Sequence, residues 1–91
     1  MTYFVYMLEC VSSAKKRTYV GYTKDLIKRL DKHNNNKGAK YTKGNKWKII
    51  YKKKFQSKNK AMSFEYILKK NKKKDFKYLI KINEYFYFIT I

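Results

Sequence analysis

The chain has 91 residues, with 24 lysines and arginines against six acidic residues, and its formal net charge is +18 at pH 7. We expect one domain over residues 1–91, and the single cysteine excludes an internal disulfide and a cysteine-based zinc site. No apolar run approaches the roughly 20 residues that a membrane span needs, so we expect an intracellular protein of the cytoplasm or nucleoid.

The positive charge predicts an anionic partner, and nucleic acid is the default partner for a basic intracellular domain. A bias in base composition is an alternative cause, because Lys, Asn, Ile, Tyr and Phe are all abundant while Pro is absent. The charge therefore predicts a class of partner and not a reaction. Arg17 and Arg29 stand out among the lysines, because arginine offers a planar and permanently charged group.

Three segments have the pattern of β-strands. Residues 3–10 carry β-branched and aromatic residues on both alternating faces, which predicts a central strand covered on both sides. Residues 17–22 resume the pattern after a polar loop, and we expect an antiparallel hairpin whose second strand ends at Gly21. Residues 47–55 predict a third strand with a solvent-facing, lysine-rich end.

Helical patterns follow the second and third strands. Thr23 is the expected N-cap of a helix over about 24–34, and Ser57 is the expected N-cap of a second helix over about 58–71. Residues 72–82 predict a third helix. The apolar arc of the second helix is expected to contain Ala61, Met62, Phe64, Ile67 and Leu68.

The element order β-β-α-β-α-α predicts an α+β domain, a small three-stranded antiparallel sheet flanked by helices. We expect the core over about residues 3–75, and the C-terminal helix and apolar tail over 76–91. The last part of this tail, residues 85–91, is apolar and β-prone. It either covers the sheet or binds a partner.

Five polar or aromatic residues are candidates for chemistry. Arg29 and His33 lie one helical turn apart, beside the apolar stripe of the first helix, and can reach a common site. Glu65 falls inside the apolar arc, where a carboxylate needs either a lysine partner or a divalent cation, and the residues alone leave both open. Tyr6 and Tyr19, on the paired strands, are either core residues or part of the same site.

The ordered set Phe4-Val5-Tyr6, Tyr19-Val20-Gly21, Arg29, His33 and Glu65 resembles the GIY-YIG nuclease domain. Small stand-alone members of that superfamily also have a segment similar to residues 37–44. The resemblance covers residues 3 to about 75. The sequence departs from the family pattern at Phe4, where the first motif has glycine, at Tyr22, where some members have lysine, and in lacking a convincing counterpart of a later asparagine.

The resemblance implies a hydrolase that cleaves DNA phosphodiester bonds with one divalent metal ion, Mg²⁺ or Mn²⁺. Glu65 would hold the metal ion, and Arg29 would stabilise the pentacovalent phosphate. Tyr6 and Tyr19 would position or deprotonate the attacking water, while His33 would orient a tyrosine or share in proton transfer. Which tyrosine is the base stays open.

DNA is the expected partner, held through phosphate contacts that do not depend on sequence. The expected contact residues are Lys24, Lys37, Lys40, Lys43 and Lys46. No separate recognition module is apparent, so we expect selectivity for DNA structure, in repair or recombination, or a protein partner that supplies targeting. Two alternatives stay open: a non-catalytic nucleic-acid-binding or accessory protein that keeps the fold, and a basic RNA-binding protein.

Overall fold

The computed structural model describes residues 1–14 and 17–71, and its centre is a three-stranded antiparallel sheet. The strands are β1 (Tyr3–Cys10), β2 (Thr18–Thr23) and β3 (Trp47–Phe55). They lie in the order β2-β1-β3, which confirms the predicted central first strand and its hairpin. The predicted third helix and the apolar tail lie outside the described residues.

Two α-helices and one short 3₁₀ turn complete the described fold, which is α+β as predicted. The helices are α1 (Leu26–Asn34) and α2 (Lys58–Asn71), and the 3₁₀ turn is Lys40–Thr42. The Ser57 hydroxyl accepts a hydrogen bond from the Lys60 N–H at 3.3 Å, as expected of an N-cap. None of the described helices has the length and apolar character required to cross a membrane.

The two helices cover opposite faces of the sheet, because neighbouring residues of a strand point to opposite sides. Met7 of β1 is buried in a cluster that contains Leu68 of α2. Leu8, the next residue, is buried in a second cluster that contains Leu26 of α1. Each face of β1 therefore has its own core, and β2 forms one edge of the sheet.

The passage from β2 into α1 differs from the prediction in two ways. β2 continues through Gly21, because Thr23 still pairs with Phe4 of β1. The N-cap of α1 is Asp25 rather than Thr23, since the Asp25 carboxylate accepts from the Lys28 N–H at 3.1 Å. The Thr23 hydroxyl instead accepts from the Asp25 N–H at 3.2 Å, within the turn that leads to the helix.

The buried stripe of α2 is narrower than predicted. Ala61 and Leu68 are buried and Phe64 packs against them, at spacings of three and four residues. Met62 and Ile67 are 46% and 51% exposed, so their assignment to the apolar arc was wrong. The helix presents one row of side chains to the sheet, and these two lie on either side of it.

Candidate active site

The β1–β2 pair places the Tyr6 phenol across the edge strand. Tyr6 lies directly opposite Gly21 in the register of the two strands. A Cβ atom built on Gly21 would lie 2.5 Å from the Tyr6 hydroxyl oxygen, closer than any side chain allows. Glycine at this position therefore leaves the space that the Tyr6 phenol occupies.

His33, in the last turn of α1, lies beneath this phenol and is 1% exposed. Its Nε2 atom is 2.9 Å from the Tyr6 hydroxyl oxygen, and its Nδ1 atom is 2.8 Å from the Thr42 hydroxyl oxygen. A Cβ atom on Gly38 would collide with the imidazole ring. The loop after α1 therefore packs its backbone directly against His33.

Aromatic rings extend from this pair towards the surface. The Tyr19 ring lies 4.9 Å from the His33 ring and 6.3 Å from the Tyr6 ring, measured between centroids. Tyr41 stacks on Tyr19 at 6.2 Å, and the Arg17 guanidinium lies 4.6 Å from the centre of the Tyr41 ring. Arg17 thus has a role in packing against an aromatic ring.

Burial determines the protonation states of the Tyr6–His33 pair. Burial, with the neighbouring Tyr19, raises the pKa of the Tyr6 phenol well above its usual range, although Arg29 acts in the opposite direction. Burial and then the positive charge of Arg29 lower the pKa of His33. At neutral pH Tyr6 is therefore a phenol and His33 is an uncharged imidazole.

A cleft of about 580 Å³ opens beside β2. Because β2 is the edge strand, residues from both faces of the sheet reach this cleft. The residues singled out in the sequence that line it are Tyr6, Tyr19, Lys24, Arg29 and Glu65. His33 does not line the cleft, but its Nε2 atom is hydrogen-bonded to the Tyr6 hydroxyl. The five proposed catalytic residues therefore lie in the cleft lining or directly behind it.

The cleft is strongly basic. Its lining also includes Lys28 and Lys32 on α1, Lys58 on α2, and Asp25. The cleft lining contains two carboxylates, Asp25 and Glu65. The Asp25 carboxylate caps α1, so Glu65 is the carboxylate of the lining that has no part in capping this helix. Such a surface attracts a phosphate group, because several cations face a common space.

Three of these lysines were missed in the sequence. Lys28 and Lys32 are one turn apart on α1, next to Arg29, and this spacing was a usable signal. No sequence signal pointed to Lys58, because its position at the cleft depends on how α2 packs against the sheet. The predicted Lys37, Lys40, Lys43 and Lys46 are exposed and lie between α1 and β3, outside the lining of this cleft.

Glu65 has a lysine partner. One carboxylate oxygen lies 2.8 Å from the Lys69 ammonium, and the Glu65 side chain is 16% exposed. The described residues contain no group of three or more His, Cys, Asp or Glu side chains that could hold a metal ion. A divalent cation here would therefore depend on Glu65 together with water and phosphate oxygens, which suits a hard ion such as Mg²⁺.

The three-stranded antiparallel sheet with its two helices is compatible with the fold of the GIY-YIG class of domains. The GIY-YIG catalytic domain family matches residues 2–79, and the chain belongs to this family. GIY-YIG domains define a nuclease family with DNA as the implied substrate, and its members generally use divalent metal ions.

Curated relatives are named UPF0213 proteins. One from Lactococcus lactis subsp. cremoris is 48% identical over 69 residues, which are 75% of this chain and 67% of the relative. Another, from Streptococcus pneumoniae serotype 4, is 46% identical over 67 residues, 72% of this chain and 65% of the relative. This chain therefore spans slightly less than two thirds of the length of the pneumococcal relative.

A solved structure has the same fold. The solution NMR structure of the UPF0213 protein BH0048 from Bacillus halodurans is similar with a TM-score of 0.57 and 36% sequence identity. The similarity covers 90% of this chain and 85% of that chain.

Proposed function

We propose that this chain is a metal-dependent DNA endonuclease that hydrolyses phosphodiester bonds in the cleft beside β2. The observation that carries the proposal is the convergence of Tyr6, Tyr19, Arg29 and Glu65 on one basic cleft, with His33 bonded to the Tyr6 hydroxyl. The charge of this cleft suits a phosphodiester, since five cationic side chains outnumber the two carboxylates in its lining. The family match supports the same chemistry.

In the proposed reaction, a water oxygen bonds to phosphorus and a bridging P–O bond breaks. The Tyr6 oxygen takes the proton of the attacking water as its own proton passes to the His33 Nε2 atom, 2.9 Å away. The lowered pKa of His33 keeps this nitrogen unprotonated at neutral pH. A phenol alone is a weak base, and this transfer makes Tyr6 the stronger candidate of the two tyrosines.

Arg29 has the role of stabilising the charge that develops on the phosphate oxygens. Its guanidinium offers two parallel donors to a phosphate, which a lysine cannot do. Tyr19 packs against His33 and faces the cleft, where it orients the water. Glu65 would hold the divalent cation, Mg²⁺ or Mn²⁺, which when bound supplies Lewis-acid polarisation of the phosphate. The Lys69 ammonium, on a half-exposed side chain, would have to move away from Glu65.

We further infer that the substrate is chosen by DNA structure, in repair or recombination, or through a targeting partner protein. Lys24, Lys28, Lys32 and Lys58 line the cleft, and contacts from lysine to phosphate carry no sequence information. The predicted lysines between α1 and β3 would extend the phosphate contacts along the duplex.

The test is cleavage of supercoiled plasmid and of branched DNA by the purified chain, with Mg²⁺ or Mn²⁺ and with EDTA. We expect metal-dependent cleavage by the wild type, preferentially of branched DNA, and none by Glu65→Gln. Glu9→Gln is the matched control, because Glu9 lies outside the lining of the cleft and pairs with Lys48 at 4.0 Å. It should cleave like the wild type.

Three results would count against the proposal. Equal cleavage by Glu65→Gln and the wild type would show that the metal site is elsewhere or that a contaminating nuclease is present. DNA binding without cleavage under every condition would favour the alternative of a non-catalytic accessory protein. Tighter binding of RNA than of DNA at the same salt concentration would favour the RNA-binding alternative.

A further inference from the structure

The Thr42 side chain is fully buried behind His33. It ends the 3₁₀ turn Lys40–Thr42, and none of its surface is exposed. Its hydroxyl oxygen lies 2.8 Å from the His33 Nδ1 atom and 2.9 Å from the Ala39 carbonyl oxygen. The Thr42 carbonyl in turn accepts from the indole N–H of Trp47 at 3.0 Å. The Thr42 hydroxyl is thus held between His33 and Ala39, and the Thr42 backbone is held by Trp47.

We propose that Thr42 is a positioning residue that fixes the tautomer of His33, with the proton on Nδ1 and the Nε2 lone pair directed at the Tyr6 hydroxyl. For its effect on cleavage, this inference rests on the proposed function. The protonation pattern of His33 does not depend on that function.

The number of hydrogens on each group fixes the direction of these hydrogen bonds. A hydroxyl has one hydrogen, and a carbonyl oxygen can only accept, so the short contact to Ala39 takes the hydrogen of Thr42. The Thr42 oxygen then accepts from the N–H at His33 Nδ1. A neutral imidazole has one N–H, which leaves Nε2 as the acceptor for the Tyr6 phenol. The donors therefore run in one direction, from Tyr6 through His33 and Thr42 to Ala39.

The opposite direction would change the chemistry. If Thr42 donated to Nδ1, the hydrogen of His33 would be on Nε2 and would point at the Tyr6 oxygen. Tyr6 would then lose its proton acceptor. The Ala39 N–H lies 3.5 Å from Nδ1, at the limit of a hydrogen bond, and competes weakly with the 2.8 Å contact to Thr42.

The loop around Thr42 is shaped for this contact. Gly38 has no side chain where its Cβ would strike the His33 ring. The turn therefore approaches the ring closely enough for the Thr42 hydroxyl to reach Nδ1. Sequence patterns did not reveal this role, because Thr42 lies in a polar loop without hydrophobic periodicity.

The first test is ¹⁵N NMR of the imidazole, and it is unambiguous because the chain has one histidine. In the wild type near pH 7.5 we expect a protonated Nδ1 and an unprotonated Nε2. Thr42→Ser keeps the hydroxyl and should keep this pattern. Thr42→Val keeps the shape without the hydroxyl and should shift the imidazole towards the Nε2–H form. A wild type with the proton on Nε2, or a Val variant with an unchanged pattern, would overturn the proposal.

The second test separates binding from turnover. Thr42→Val should lower kcat by about 10- to 100-fold with little change in KM, as for other groups that fix a histidine tautomer, and Thr42→Ser should restore it. Thermal unfolding checks that both variants are folded. An unchanged kcat and pH profile in Thr42→Val would overturn the positioning role while leaving the endonuclease intact. No cleavage by the wild type, with the expected tautomer, would overturn the proposed function but not the assignment of His33.

Discussion

The two faces of the central sheet bury different chemistry. Under α2, the buried residues of β1 are Val5 and Met7, and they pack in an apolar cluster. Under α1, the same strand buries the Tyr6 phenol, which is hydrogen-bonded to His33 and through it to Thr42. Alternation along one strand therefore gives each face a core, and only the core of the α1 face also holds groups equipped for proton transfer.

This difference has an energetic cause. A buried polar group lowers stability unless its hydrogen bonds are made, whereas a buried methyl or thioether group stabilises directly. The α1 face meets that requirement with the linked contacts of Tyr6, His33, Thr42 and Ala39. Changes to the hydrogen-bonded groups of β1 and its neighbours on the α1 face should therefore affect cleavage first, and changes to the apolar cluster around Met7 on the α2 face should affect stability first.

After the complete loss expected for Glu65→Gln, the largest effect on cleavage is expected from Arg29→Gln. Loss of a group that stabilises transition-state charge lowers a rate by about 10²- to 10³-fold. The measurement is single-turnover cleavage with enzyme in excess, so that weaker DNA binding does not contribute. Arg17→Gln is the matched control, because Arg17 lies over Tyr41 and outside the lining of the cleft. Equal losses in both variants would contradict the assignment.

Gly38→Ala should disturb the position of the His33 ring on the α1 face. The new Cβ would collide with the His33 ring, so we expect a loss of about 1–3 kcal/mol in the free energy of unfolding together with weaker cleavage. Gly44→Ala is the control. Gly44 has a φ of 81°, and a Cβ there has nothing within 4 Å, so it should lose some stability through backbone strain but keep full cleavage per folded molecule. Normal cleavage by Gly38→Ala would show that the position of His33 is unimportant.

The pH dependence of stability offers a smaller effect. Burial and the neighbouring Arg29 lower the pKa of His33, so below about pH 6.5 the unfolded chain binds more protons than the folded chain. The free energy of unfolding should therefore fall as pH falls below this value, by at most about 1.4 kcal/mol per pH unit from this group. Denaturant unfolding measures it, and the same slope in His33→Gln would exclude His33 as the cause.

The smallest effect is expected from single lysines. Lys24→Gln, in the cleft, should lower the slope of log K against log salt concentration by about 0.9, the value for one phosphate contact. Binding is measured in the Glu65→Gln background to prevent cleavage. Lys48→Gln is the control, because Lys48 pairs with Glu9 and lies outside the cleft lining. An unchanged slope for Lys24→Gln would remove Lys24 from the phosphate contacts.

Much of the fold could be predicted from local pattern. The predicted strands 3–10 and 47–55 have the bounds of β1 and β3, because β-branched and aromatic residues fill both. The start of α1 was predicted two residues early. Thr23 has the chemistry of an N-cap, but its pairing with Phe4 keeps it in β2, and no local pattern reports that pairing.

The candidate site could likewise be predicted only in part from the sequence. Side chains that belong to motifs, such as Tyr6 and Glu65, could be named from the sequence. Thr42 and Gly38 could not be assigned roles, because their importance depends on where His33 lies in space. A lysine partner for Glu65 was among the open alternatives, and the structure shows an ion pair with Lys69 at i, i+4.

The most direct test of the separation between the faces compares two adjacent residues of β1, both at most 2% exposed. Tyr6→Phe removes one hydroxyl, and Met7→Ala removes apolar volume on the other face. We would measure metal-dependent single-turnover cleavage and the free energy of unfolding on the same samples, at a temperature where both variants are folded.

We predict that Tyr6→Phe loses at least about 10²-fold in cleavage rate with a modest change in stability. Met7→Ala should lose about 2–5 kcal/mol of stability but cleave at the wild-type rate per folded molecule. Wild-type cleavage by Tyr6→Phe would contradict the account, because the phenol on the α1 face would then have no part in the reaction.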